Sequence, residues 1–165
     1  MTTVTIDIKG LDAVLGKLDR LTPEVQAAAK QGLFAVAQIA ANDAKLRVAR
    51  GPKTGRIYKR GKIAHQASAP GEAPATDLGK LLGSIRGELA NEPLTANLVA
   101  SVDYAIHLEF GTSKMAPRPF MRPAADLAAA QGAGIIASYV QDAMGGSGAP
   151  RWTRGVSLTP LVGVR

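Results

Sequence analysis

The spacing of apolar and polar positions changes several times along the chain, and each change predicts an element. In residues 3–8, TVTIDI, the apolar positions Val4, Ile6 and Ile8 alternate with polar ones, the period of a half-buried strand, and Gly10 ends it. From Leu11 the spacing widens to Leu11, Val14, Leu15, Leu18 and Leu21, one stripe of a short helix. Thr22-Pro23-Glu24 then reads as an N-cap, a proline at the first helical position and an acid in the first turn. The helix that starts there runs over 23–49, with Val25, Ala28, Ala29, Gly32, Leu33, Val36, Ala40 and Leu46 on its inner face. Half of that face is Ala or Gly at helix-repeat spacing, so it predicts close approach to a sheet or to a neighbouring subunit.

Residues 50–76 show no sustained period and are dense in Gly, Pro, Lys and Arg; they read as one long basic loop. Asp77 to Ser84 reads as a helical turn or two capped by Thr76 or Asp77. Alternation returns in 85–91 through Ile85, Gly87 and Leu89, and in 94–102 through Leu98, Ala100 and Val102, with Asn91-Glu92-Pro93 as the turn of a hairpin. Tyr104 to Phe110 resumes helical spacing and Gly111 stops it. A Pro-rich crossing from Met115 leads to a helix over 123–144, whose middle Gly132 and Gly134 weaken. A GGSG hinge then opens an apolar arm bearing Trp152, Val156 and Leu158, which must dock to be ordered. These elements predict an α+β fold: a small antiparallel sheet of 3–8, 85–91 and 94–102 under the helices 23–49 and 123–144. They form one domain over 1–144, with the hinge and arm at 145–165.

Composition sharpens this picture. Of 165 residues 29 are Ala and only 4% are aromatic, so the apolar fraction of 46% is mostly small side chains and the core is thin. A buried Leu or Phe contributes about 1.5–3 kcal/mol and an Ala much less. Oligomerisation is therefore a natural source of added stability. The formal charge is +7, and eight of the cations fall between Lys45 and Lys62, with no acid from there until Glu72. Such a balance suits nucleic acid, an acidic partner or an anionic surface. Zero Cys excludes disulfides, thiolate nucleophiles and Cys-ligated zinc. Neither a signal peptide nor a membrane-spanning stretch is expected.

Candidate chemistry is sparse. Asp103, His107 and Glu109 lie close together, but a zinc deaminase needs a downstream Cys pair and there is none; they read as polar residues on a helix surface. Gly51-Pro52-Lys53-Thr54 ends like a phosphate loop, yet Leu46 stands where the first Gly belongs. No catalytic residue, metal ligand or cofactor site is expected, and the chain is not read as an enzyme. The basic loop has two readings. It could contact an acidic neighbouring protein, or bind phosphates, although Tyr58 is its one aromatic.

The string DYAIHLEFGTSKMAPRPFMRP resembles the tail-component, or neck-protein, family of long-tailed double-stranded DNA phages and prophages, similar in role to the minor tail protein Z of lambda-like phages. The matching residues are Tyr104-Ala105, Glu109-Phe110-Gly111-Thr112, Arg118-Pro119-Phe120 and Arg122-Pro123-Ala124. Upstream, SAPGEAPATDLGKLLGSI from Ser68 to Ile85 resembles the same family's segment before its hairpin, so the likeness spans about Pro52 to Ala124. The hinge and arm lie outside it.

Physically, Glu109 can accept hydrogen bonds from turn amides or pair with Arg118 or Arg122, while Phe110 and Phe120 can anchor both ends of the crossing in the core. The resemblance implies a structural virion protein, assembled in the bacterial host cytoplasm and located at the head–tail junction. It implies a homo-oligomeric ring, a hexamer, that meets the head connector and the tail-terminator or tail-tube proteins around a DNA channel, with no membrane contact. The alternative is a basic nucleic-acid-binding module of prophage origin. A channel that lets DNA run through cannot be lined with cations, so Lys53, Arg56, Tyr58, Lys59, Arg60 and Lys62 are expected at subunit or partner contacts. Trp152, Val156 and Leu158 of the arm are expected to cross to a neighbour.

Overall fold

The small side chains of the long helices decide how closely the layers of this α+β fold pack. A computed structural model describes residues 2–6, 22–61, 63–75, 79–90 and 95–145. In chain order the elements are β1 (Thr2–Ile6), α1 (Pro23–Arg50), β2 (Ile57–Arg60), β3 (Ile63–Gln66), α2 (Lys80–Ser84), β4 (Ile85–Leu89), β5 (Ala96–Ala100), α3 (Ala105–Phe110) and α4 (Met121–Gly145). The expected short helix over 11–21, the Asn91-Glu92-Pro93 turn and the arm after Gly145 lie outside the described residues.

An antiparallel sheet of order β1-β5-β4 carries the core, with Val4 and Gly87 both opposite Leu98, and Ile85 opposite Ala100. Alternation puts Thr2, Val4, Ile85, Gly87, Ala96, Leu98 and Ala100 on the face beneath the helices. α1 packs on β4, β5 and α4, and α4 also reaches β1. The helix seam is built from Ala28, Ala29, Gly32, Ala40 and Ala44 of α1 and Ala124, Ala125, Ala128 and Gly132 of α4. These let the backbones close in: a Cβ on Gly32 would lie 2.9 Å from Ile136 Cα. α1 lies as tightly on the sheet, where a Cβ on Gly87 would fall 2.3 Å from the Ala37 carbonyl oxygen. Gln38 Nε2 donates to the Gly87 carbonyl at 3.0 Å beside it. The larger filling is Leu33, Ile85, Leu98, Phe120 and Met121, all buried.

At the start of α1, Thr22 is extended at the N-cap and its carbonyl accepts the amides of Val25 and Gln26. The Thr22 side chain caps no amide; it bonds the Glu24 carboxylate, which lowers the Glu24 pKa.

Several expectations need correction. Leu46 is 51% exposed, because it sits about 200° around the helix from both Ala44 and Val48, which do face the core. The 50–76 stretch is not one structureless loop: β2 and β3 pair antiparallel as a hairpin, with Tyr58 opposite His65 and Lys59 opposite Ala64. At its turn Gly61 takes a φ of 61° that suits glycine. α2 begins at Lys80 after Gly79 in a left-handed conformation, later than a cap at Thr76 or Asp77 would set it. Met121, not Pro123, opens α4, and the capping carboxylate described next accounts for those two extra residues.

Candidate partner-binding surfaces

The Tyr104–Pro123 string folds into one hydrogen-bonded junction. Tyr104 takes the N-cap position of α3, and its carbonyl accepts the Leu108 amide. Gly111 ends α3 with a φ of 77°, and a Cβ there would meet the Met115 carbonyl oxygen at 2.6 Å. Thr112 and Met115 then exchange backbone hydrogen bonds across a tight turn.

Glu109 is 4% exposed. Its Oε2 accepts the amides of Phe120 at 2.9 Å and Met121 at 3.0 Å, and its Oε1 accepts the Arg122 amide at 2.8 Å. A carboxylate thus takes three amide donors at the N-terminus of α4, the favourable end of the helix dipole. Pro123 follows in the first turn, where its missing N–H costs nothing.

This corrects three readings. Glu109 is not a polar residue on a helix surface; it bonds neither Arg118 nor Arg122 through their side chains; and Phe110 is 61% exposed, so only Phe120 anchors the crossing in the core. Phe110 precedes the left-handed Gly111 at the end of a single short helix, whose buried positions are Ala105 and Glu109.

Arg118 looks the other way, toward the second string. Its guanidinium donates to the carbonyl and hydroxyl oxygens of Ser68, and to the Ala69 carbonyl at 3.4 Å. The Gly71 amide donates to the Pro117 carbonyl at 3.0 Å, beside Pro119 and Phe120. Within the upstream string Glu72 accepts Thr54 Oγ1 at 2.5 Å, the Thr54 amide at 3.0 Å and the Ala69 amide at 2.8 Å. These donors hold the Glu72 carboxyl below its usual pKa, the Thr54 hydroxyl most. The base of the β2–β3 hairpin is therefore fastened, and Gly55 N to Ala67 O at 2.9 Å continues the ladder into it.

Beyond that base the hairpin projects. Arg56, Ile57, Tyr58 and Lys59 are all exposed, with the Arg56 guanidinium 5.7 Å from the Tyr58 ring centre, a cation–π contact. Neither Arg56 nor Lys59 has an acidic partner among the described residues. Lys53 differs from them: it folds back, donating from Nζ to the Gly51 carbonyl at 2.9 Å, and burial pushes its pKa down. The Arg60 side chain, all of Lys62, and the arm residues Trp152, Val156 and Leu158 lie outside the description.

A second surface went unread in the sequence. A groove of about 1230 Å³ runs between α1 and α4, walled by Phe34, Ile39, Leu89, Ile135 and Tyr139. Phe34 is 45% and Leu89 39% exposed, and burial in this wall pushes the Tyr139 phenol pKa up. The signal was a second stripe on α1, with Gln31, Ala35, Gln38 and Asn42 rotated away from the Ala seam. A smaller cavity of about 390 Å³ opens beside Ser68, Lys80, Tyr104 and Arg118.

Among the described residues no group of His, Asp and Glu could hold a metal ion, and no helix is long and apolar enough to cross a membrane. No family model, curated protein or solved structure matches this chain.

Proposed function

We propose that this chain is a structural virion protein of the head–tail junction, a neck or tail-completion subunit of a long-tailed double-stranded DNA phage. It assembles in the host cytoplasm and closes as a homo-oligomeric ring, a hexamer, that joins the tail to the head connector. DNA runs through its channel without sequence-specific binding. It needs no cofactor and carries out no reaction.

One observation carries this reading. The two strings that bear the family resemblance, 68–85 and 103–123, are hydrogen-bonded to each other through Arg118–Ser68 and Gly71–Pro117. Together they form a hydrogen-bonded junction from which a basic hairpin projects. A motif spent on fixing geometry suits an assembly subunit, and a head-to-tail interface closes without open ends in a cyclic ring.

The test is native mass measurement and negative-stain microscopy of the full chain, alone and with connector and tails. Rings bound at the tail end are expected. A chain that stays monomeric and binds neither part would overturn the proposal.

The exposed Arg56–Tyr58 pair with Lys59 favours one competing reading, a nucleic-acid-binding module. A salt titration separates the two. A module with several phosphate contacts loses orders of magnitude in duplex affinity between low and physiological salt, whereas ring assembly depends on the partner proteins.

A further inference from the structure

We infer that the groove between α1 and α4 is the docking site of this chain's own C-terminal segment, residues 151–164. The groove exceeds the ~300–1,000 Å³ of a small-molecule pocket, which is the scale of a peptide. Its walls Phe34, Leu89 and Ile135 are apolar, its polar lining is mainly side-chain amides, and it includes no acid. Amides of this kind can pair with the backbone of an extended segment while the apolar walls take its side chains.

The occupant follows from where α4 ends and what comes after it. Tyr139, the last α4 residue in the wall, stands six positions before Gly145, about 9 Å along the helix. Twenty residues follow. The first five of them, Gly146 to Pro150, span up to about 17 Å, enough to turn back and bring Trp152 over the groove. From there Trp152, Val156, Leu158, Leu161 and Val162 supply apolar side chains that the groove's apolar walls can take. The segment has two Arg and no acid, and the groove lining has no acid to meet them, so the match is apolar to apolar and not ionic.

A tether this short sets an effective concentration of millimolar order, above that of a second copy in dilute solution. The sequence reading sends the arm to a neighbour. A groove within reach on the same chain makes the intramolecular contact the first to form. This inference does not depend on head–tail joining.

Trp152 is the only Trp and reports directly. In the full-length chain its fluorescence should be blue-shifted and quenched by acrylamide severalfold less than in denaturant, unchanged on dilution. Phe34→Glu puts a charge in the wall, and Gly134→Glu does the same from a position where an added Cβ meets open space. Both should shift the emission red and restore quenching while circular dichroism and the melt stay native. Emission identical in wild type and in a folded Gly134→Glu variant overturns the inference. So does a blue shift that vanishes on dilution, which would assign the groove to another copy's segment. Neither result bears on whether the chain joins tails to heads.

Discussion

Glu109 reaches across eleven positions to hold the amide of Phe120 at 2.9 Å from its Oε2, and so fixes where α4 begins. The same carboxylate takes the amides of Met121 and Arg122. It joins the end of α3 to the start of α4, and Phe120, set between them, is fully buried.

Removing that carboxylate leaves three amides short of an acceptor in a largely buried place. Hydrogen bonds to charged groups contribute about 1.5–3 kcal/mol each and are not additive, so Glu109→Ala should cost about 3–5 kcal/mol. Glu109→Gln keeps one accepting oxygen but turns an NH₂ toward a donor, and should fall between. Urea denaturation measures both; a loss under about 1 kcal/mol for Glu109→Ala would show that the cap is dispensable.

Glu72 gives the hairpin base a pH dependence. Its carboxyl is held below the usual 4.5 by Thr54 and Ala69, so the ionised form favours the folded state. That support is complete above the unfolded value and is lost as pH falls through the lower folded value. In an NMR titration the Glu72 carboxyl and the Thr54 amide should move together with a midpoint below 4.5. Thr54→Val should bring that midpoint up. A Thr54 amide indifferent to pH in this range would mean that the contact does not persist in solution.

How much of this was legible depends on how local each cause is. The seam of α1 could be read because Val25, Ala29, Leu33, Val36 and Ala40 repeat every three or four positions over about four turns. β2 and β3 could not: IYKR and IAHQ are four residues each, and Lys59 and Arg60 break the alternation that would mark them. They pair because a glycine turn joins them and Glu72 and Gly55 fasten their base. Glu109 was read as an acceptor of turn amides; it does accept amides, but those of Phe120, Met121 and Arg122 at the start of α4 and not those of the Gly111-Thr112 turn. Its depth was not legible, because burial there comes from α4, more than ten positions away. Phe110 shows the opposite error, a large aromatic assigned to the core by type when its place at the end of α3 leaves it outside. The groove depends on the angle between two helices, which no local pattern encodes.

Three glycines separate close packing from helix propensity. Gly87→Ala would set a Cβ 2.3 Å from the Ala37 carbonyl oxygen, a backbone atom that cannot step aside. Gly32→Ala would meet Ile136 Cα at 2.9 Å. Forcing the layers apart should cost about 1–3 kcal/mol at Gly32, and more at Gly87. At Gly134 an added Cβ meets nothing within 4 Å, so Gly134→Ala should stabilise by up to about 1 kcal/mol through helix propensity. Thermal melts of the three variants should rank in that order, and a stabilised Gly87→Ala would refute the close contact between α1 and β4.

The hairpin cations give the most direct test of the proposed role. Arg56 and Lys59 are exposed without an acidic partner among the described residues, on strands whose base is fastened to the rest of the fold. A two-stranded hairpin is at best marginal alone, and exposed cations on it are placed to meet something negative. If that is DNA, a ring of such hairpins would grip the phosphate backbone and slow its passage. If it is protein, the contact is made once at assembly, and the inward wall of the channel stays neutral or acidic. The second outcome is expected. Arg56→Glu, Lys59→Glu and Arg60→Glu combined should leave the fold intact, because neither Arg56 nor Lys59 supports the core, and should leave filled heads beside unattached tails in micrographs of lysates. Changing acids to Lys on the connector or on the tail should restore joining. Particles that join normally but eject DNA at an altered rate would put the hairpin in the channel and reverse the assignment.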